Sequence, residues 1–223
     1  MANKMPPTRG PRIIESEADV RDGVRALRRK CPTMRHVHDI AGDPPLRRRP
    51  AGFEGLARVI VGQQLSVASA SAIWDRTAAL CQPFEPPILL GLKDGQLAAV
   101  GLSRPKIRTL RAIAGACTTG LDLARLARAS EEEVHAALTQ VVGIGPWTAD
   151  VYIMFCLGRA DAWAPGDLAL QVAAQRVLAL DERPSSDALE EIGERWRPWR
   201  GVAARLLWAY YAALKKKQTA VPV

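Results

Sequence analysis

Cysteine is scarce and scattered in this sequence. Cys31, Cys81, Cys117 and Cys156 form no C-x-x-C pair, and residues 160–223 contain none. The ligands of a zinc ion or an iron–sulfur cluster stand closer together than this, so neither is expected, and the thiols read as reduced residues of an intracellular protein. Long apolar runs are also missing. No stretch reaches the ~18 apolar residues of a membrane span, and the N-terminus lacks the apolar core of a signal peptide, so a soluble protein without a membrane partner is expected. The three histidines, His36, His38 and His135, have no spacing for metal or triad chemistry. Apolar alternation of period two is absent, as is any internal repeat. Finally, no lysine lies between Lys106 and Lys215.

What is present is a basic, helix-patterned chain. Its 223 residues are 48% hydrophobic, enough for one large domain or two small lobes sharing a cleft. The net charge of +8 points to a polyanion, nucleic acid first, with plain solubility as the other reading. Residues 1–14 are polar and rich in Pro and Gly and read as a mobile leader. Helical periodicity follows at 15–30, 53–64, 66–81, 94–100, 103–119, 121–127, 130–141, 147–158, 167–180, 186–196 and 199–214, so the fold class is all-α with about ten helices. Phe53, Leu56, Ala57 and Ile60 mark one buried face; Val202, Ala203, Leu206, Leu207, Tyr210 and Leu214 mark another. Between the first two helices, 41–52 carries three prolines and the run Arg47, Arg48, Arg49, a loop whose arginines either meet phosphate or stay solvated. "PFEPP" at 83–87 breaks the chain, and 215–223 reads as a solvated basic tail.

The stretch "VVGIGPWTADVYIMF" (141–155) is the most informative. A helix ends near Val142, Gly143 and Gly145 permit a sharp turn, and Pro146 suits the first position of the next helix. Ile144 fits as an apolar plug. Unpaired N–H groups at a helix N-terminus make a phosphate site, although a Gly-x-Gly turn between helices is also an ordinary connection. About twenty positions on, "ADAWAPGDLALQVAAQRV" leads through Pro165 and Gly166 to Asp167 at the head of an apolar helix, where Asp is a good N-cap.

Hairpin, loop and aspartate together resemble the helix-hairpin-helix (HhH-GPD) DNA glycosylase superfamily. Within it the likeness is to the monofunctional alkylpurine branch typified by DNA-3-methyladenine glycosylase II. "VGQQLSVASASAIW", "VGLSRPKIRTLRAIA" and "ERWRPWRGVAARLLWAYY" carry it further, over residues 51–214. The resemblance implies a two-lobed helical fold around a DNA-binding cleft, with 15–50 packing on the C-terminal lobe of a 51–214 core, in a compact form without a β-rich first lobe. It assigns to Asp167 the carboxylate that opposes charge on the sugar during base release, and leaves Asp150 and Asp161 structural. It gives the DNA-backbone grip to Gly143, Ile144, Gly145, Trp147 and Thr148, with Na+ or K+ held at the carbonyls of Val142 and Ile144 as a structural aid. Trp208, Trp147, Tyr152 and Trp163 become candidates for a base pocket, against core packing as their ordinary fate. Gln64 or Leu65 becomes the wedge that fills the vacated stack. Trp196, Pro198, Trp199 and Arg200 lock the last helix.

Two positions depart from the family pattern. Val151 stands at a pocket tyrosine, and Gln64 at an apolar wedge. Where strand-cutting relatives carry a Schiff-base lysine just after the hairpin glycines, this chain has Trp147, so no lyase step is implied. The implied activity is base flipping and hydrolysis of the N-glycosidic bond of 3-methyladenine or 7-methylguanine in double-stranded DNA, as base excision repair by an intracellular monomer without a cofactor. Two alternatives stay open: a glycosylase for hypoxanthine, ethenoadenine or an oxidised base, and a non-catalytic helix-hairpin-helix DNA-binding module.

Overall fold

The structure, a computed structural model, describes residues 11–219. Thirteen helices occur among them: α1 (Glu17–Lys30), α2 (Pro32–Ala41), α3 (Phe53–Gly62), α4 (Val67–Leu80), α5 (Pro86–Gly91), α6 (Asp94–Ala99), α7 (Arg104–Thr118), α8 (Leu123–Leu126), α9 (Glu131–Thr139), α10 (Pro146–Phe155), α11 (Leu168–Val177), α12 (Ser186–Glu194) and α13 (Arg200–Thr219). The described residues hold no strand, only an isolated antiparallel bridge between Ile13 and Arg159. The chain is all-α. The count exceeds the expected ten because α2 and α5 begin with Pro32 and Pro86 at their first turn. Proline lacks the N–H that a first turn leaves unpaired, so it starts a helix as readily as it ends one.

The helices pack in two groups. In one, α13 runs against α1, α2 and α11, with α12 on α11; in the other, α3 packs on α4, α7 and α10, with α5 on α7 and α9 on α10. Local chemistry sets the ends. Ser16 and Asp19 close a capping box at the head of α1, and Ser130 and Glu133 do the same for α9, satisfying N–H groups that a helix start leaves open. Along α1, Val20, Gly23, Val24 and Leu27 form the buried stripe. Gly23 is required there by close approach: a Cβ would stand 2.6 Å from Val202 Cγ2 and 2.7 Å from Trp199 Cε3.

Three expectations about the chain's periphery change. Residues 1–10 of the expected leader lie outside the described residues, but 11–14 are not mobile. Ile14 N–H donates to Gly158 O (2.7 Å), Ala160 N–H donates to Arg12 O (2.9 Å), Ile14 is fully buried, and the Arg12 guanidinium lies 4.5 Å from the Trp199 ring centre. The tail expected from 215 is helical as far as Thr219, and 220–223 lie outside the described residues. Most of the arginine loop is pinned, and only Arg47 of the run stays exposed as expected. Arg48 donates to Phe155 O (3.2 Å) and Cys156 O (2.6 Å), Arg49 N–H donates to Phe155 O (3.0 Å), and Gly52 N–H donates to the Tyr152 hydroxyl (3.0 Å). The C-terminal carbonyls of α10 are thus capped by a cation, which their dipole favours.

The residues around α12 form a lock of a different kind. Arg200 is buried and reaches Asp161 O (3.0 Å), Glu190 (2.8 Å) and Glu194 (3.3 Å), while Arg197 pairs with Asp161 and Glu194. Trp196 sits fully buried, edge-on to Trp163 at 5.3 Å. Asp161 therefore works in an ion network and not at a reaction centre.

The packing of residue 14 is directly measurable. Ile14→Ala removes a fully buried side chain, and urea unfolding is expected to show a loss of about 2–4 kcal/mol; a change near zero would return residues 11–14 to the role of a loose leader.

Candidate active site

Residues 140–146 form the connection between α9 and α10. Ile144 N–H donates to Val141 O (3.0 Å) and Thr148 N–H to Gly145 O (3.0 Å). The N–H groups of Gly143 and Gly145 find no acceptor among the described residues. Gly143 is left-handed at φ 87°, and a Cβ there would meet Thr109 Oγ1 at 1.9 Å, so both backbone and space demand glycine. Gly145 caps α10 with open space in front of it, and Pro146 follows at the first helical position. Ile144 is buried, as a plug, and Val142 is 63% exposed on the tip. The tip offers backbone donors at a positive helix end, without a side chain in the way.

Thr148 does not join that grip. It is 2% exposed, and its Oγ1 accepts from Gln63 Nε2 at 2.8 Å. This bond ties α10 to the turn between α3 and α4, which carries the wedge candidates. Lys106 Nζ braces the same turn through Val61 O (2.7 Å). Gln64 sits exposed at its apex in a left-handed conformation, φ 54°, with Leu65 exposed beside it. A left-handed backbone is uncommon for glutamine and carries local strain.

Asp167 heads α11. Its Oδ1 accepts from Leu170 N–H (3.0 Å), which makes it the N-cap. Oδ1 also accepts from Trp208 Nε1 (3.0 Å), and Oδ2 accepts from Trp147 Nε1 (2.7 Å). An indole N–H can only donate, so both carboxylate oxygens are held as acceptors while the side chain stays half-buried. The cap and the pinned carboxylate are one residue's two roles. Trp147 comes from α10 and Trp208 from α13, so the site joins the two helix groups. Trp147 was assigned both to the backbone grip and to the pocket; its side chain serves Asp167.

Tyr152 and Trp163 are not at the site. Tyr152 is fully buried, its hydroxyl taken by Gly52 N–H, and burial pushes its phenol up to about 12. Trp163 is buried with its N–H on Leu189 O (3.2 Å). Both sit where large aromatics are most often found, in packing. Asp150 stands apart as well, with Oδ1 3.6 Å from His135 Nε2; burial, with Glu190 next in effect, pushes its carboxyl up to about 7. No group of three or more His, Cys, Asp or Glu among the described residues is placed to hold a metal ion.

Sequence reasoning missed Phe155, which stacks on Trp208 at 5.6 Å and 30°, and Arg205, buried beneath it at 4.7 Å from the Phe155 ring centre. The signal for Arg205 was available: an arginine inside the apolar run "VAARLLW" must be buried and must be doing something to stay there.

A helical hairpin facing outward, a carboxylate at the next helix head and an indole pair between them define a helix-hairpin-helix DNA-repair scaffold. A family profile described as HhH-GPD superfamily base excision DNA repair protein matches residues 57–198. The chain belongs to that superfamily. It is 31% identical over 161 residues to DNA-3-methyladenine glycosylase 1 of Schizosaccharomyces pombe, covering 70% of this chain and 71% of that protein. Among solved structures it resembles the 3-methyladenine DNA glycosylase of Schizosaccharomyces pombe in complex with abasic DNA (TM-score 0.77, 27% identity, 84% of this chain and 95% of that one). It also resembles a DNA-3-methyladenine glycosidase of Bacillus halodurans (TM-score 0.73, 32% identity, 87% and 91%).

Gly143→Ala tests the hairpin. The strained backbone and the Thr109 contact are expected to cost about 2 kcal/mol or more in thermal or urea unfolding and to weaken duplex binding. A variant with unaltered stability and binding would mean that the turn tolerates a side chain.

Proposed function

We propose that this protein is a monofunctional DNA N-glycosylase that removes alkylated purines, of the 3-methyladenine and 7-methylguanine type, from double-stranded DNA. The observation that carries the reading is the Asp167 carboxylate, fixed by two indole N–H groups and one backbone N–H at 2.7–3.0 Å. As the bond from C1′ to the base nitrogen lengthens, its electron pair leaves with the base and positive charge grows on the sugar. A carboxylate already oriented opposes that charge without having to reorganise. Water then adds at C1′ and gives up a proton. An alkylated, cationic purine leaves as a neutral base and needs little help, so the site has no need of a dedicated acid.

DNA is the substrate, gripped by backbone N–H groups of the 143–145 tip, while the exposed turn at Gln64 and Leu65 fills the stack that the extruded nucleotide leaves. The carbonyls of Val142 and Ile144 accept no hydrogen bond from described residues, and they are the groups that would hold Na+ or K+ against a phosphate. Trp147 stands where a lyase would need an amine, so the product is an abasic site with the strand intact. No described helix is long and apolar enough to cross a membrane. Acting on DNA puts the protein inside the cell, and the reading takes it to work as a monomer.

The test is mass spectrometry of bases freed from methylated duplex DNA. Asp167→Asn keeps shape and removes charge; release is expected to fall roughly 10²-fold or more while binding to an abasic duplex persists. Undiminished release would end the catalytic assignment and leave a DNA-binding module.

A further inference from the structure

Five arginines gather around Phe155 and its neighbours: Arg47, Arg48, Arg49, Arg58 and Arg205. None forms an ion pair among the described residues. They repel one another instead. Burial, Arg48 and Arg47 lower Arg205 to about 10, and burial, Arg58 and Arg47 lower Arg49.

Four of the five have local work. Arg48 caps α10. Arg205 donates to Gly201 O (2.7 Å) and Met154 O (3.2 Å). Arg58 lies over Trp74 at 5.7 Å and Arg49 beside Phe155 at 6.0 Å. Arg47 has no partner among the described residues. It is exposed, its backbone is left-handed at φ 51°, and it lines a crevice with Phe155, Arg205 and Trp208. That crevice measures about 50 Å³, room for one or two waters rather than a purine. A base held against Trp208 would therefore stop at the mouth of the crevice, which Arg47 also lines.

We infer that Arg47 is a specificity-determining residue, whose guanidinium stabilises negative charge on the departing base and so extends excision to neutral purine lesions. The inference rests on Asp167 acting at the sugar. A neutral lesion such as hypoxanthine or ethenoadenine leaves with the bonding pair as an anion and takes up a proton afterwards; water supplies the hydroxyl to C1′, so the net change is hydrolysis. A guanidinium donates hydrogen bonds and accepts none, so Arg47 takes no part in the proton transfer. With a negative group beneath the sugar and cations beside the base, the field favours moving charge across the breaking bond in this direction. A cationic 7-methylguanine leaves neutral and gains no anion for Arg47 to hold.

Single-turnover release of hypoxanthine and of 7-methylguanine, each placed in a duplex, tests this with wild type, Arg47→Gln, Arg47→Lys and Asp167→Asn. The ratio of the hypoxanthine rate to the 7-methylguanine rate is expected to fall roughly tenfold or more in Arg47→Gln and to be largely retained in Arg47→Lys. An unchanged ratio, with both rates falling together as duplex binding weakens, would make Arg47 a phosphate contact and overturn the inference. So would a wild type that releases no hypoxanthine. Asp167→Asn separates the two readings: if it still releases both bases, the sugar-side assignment fails whatever Arg47 does.

Discussion

Two indole N–H groups donating to one carboxylate hold this site together. The donors come from α10 and α13 and the acceptor from the head of α11, so the three elements must be in register before Asp167 is positioned. Each such bond to a charged group contributes on the order of 1.5–3 kcal/mol when well made. The helix head adds its own N-cap bond, worth about 1 kcal/mol. The hairpin serves the same arrangement: its turn starts α10, α10 carries Trp147 to the carboxylate, and Thr148, the next residue, turns inward to hold the turn between α3 and α4 through Gln63. The hairpin, the turn at Gln64 and the Asp167 carboxylate are thus mechanically continuous through two adjacent residues.

Electrostatics divide the molecule in a way that its net charge of +8 conceals. Around α12, arginines are matched by Asp161, Glu190 and Glu194 and act as a lock. Around Phe155 and Trp208, arginines meet only carbonyls, ring faces and one another. Buried cations without counter-ions are costly unless hydrogen-bonded, and Arg205 meets that condition through backbone oxygens. The excess positive charge lies around Phe155, which stacks on the Trp208 that donates to Asp167.

Much of this was legible in the sequence, and what was not has physical reasons. Amphipathic stripes such as Phe53–Leu56–Ala57–Ile60 marked helices because burial imposes the 3.6 period. The hairpin was legible because Gly143 satisfies a steric demand that glycine alone meets. Asp167 read as a cap from its neighbours in sequence, and as the carboxylate at the sugar only through the family resemblance. Yet α2 and α5 were hidden by prolines that start helices while looking like breaks. Residues 11–14 looked like a leader because their partners, Gly158 and Ala160, are far away in sequence. For the tryptophans, local sequence could not tell wall from core. Trp163 and Trp208 have similar apolar surroundings, and only the packing of α13 decides which indole faces Asp167. Tyr152 went to the core by the same logic, since the loop at Gly52 that occupies its hydroxyl lies a hundred residues away.

The most direct test of the account is the single-turnover rate of base release from a 7-methylguanine duplex by Trp147→Phe and Trp208→Phe, with abasic-duplex affinity measured in parallel. Phenylalanine keeps the ring and removes the N–H. The account predicts that each variant loses roughly tenfold or more in rate while retaining affinity, and that the double variant approaches the rate of Asp167→Asn. Wild-type rates in both single variants would contradict it, because a carboxylate indifferent to its two donors is not held by them.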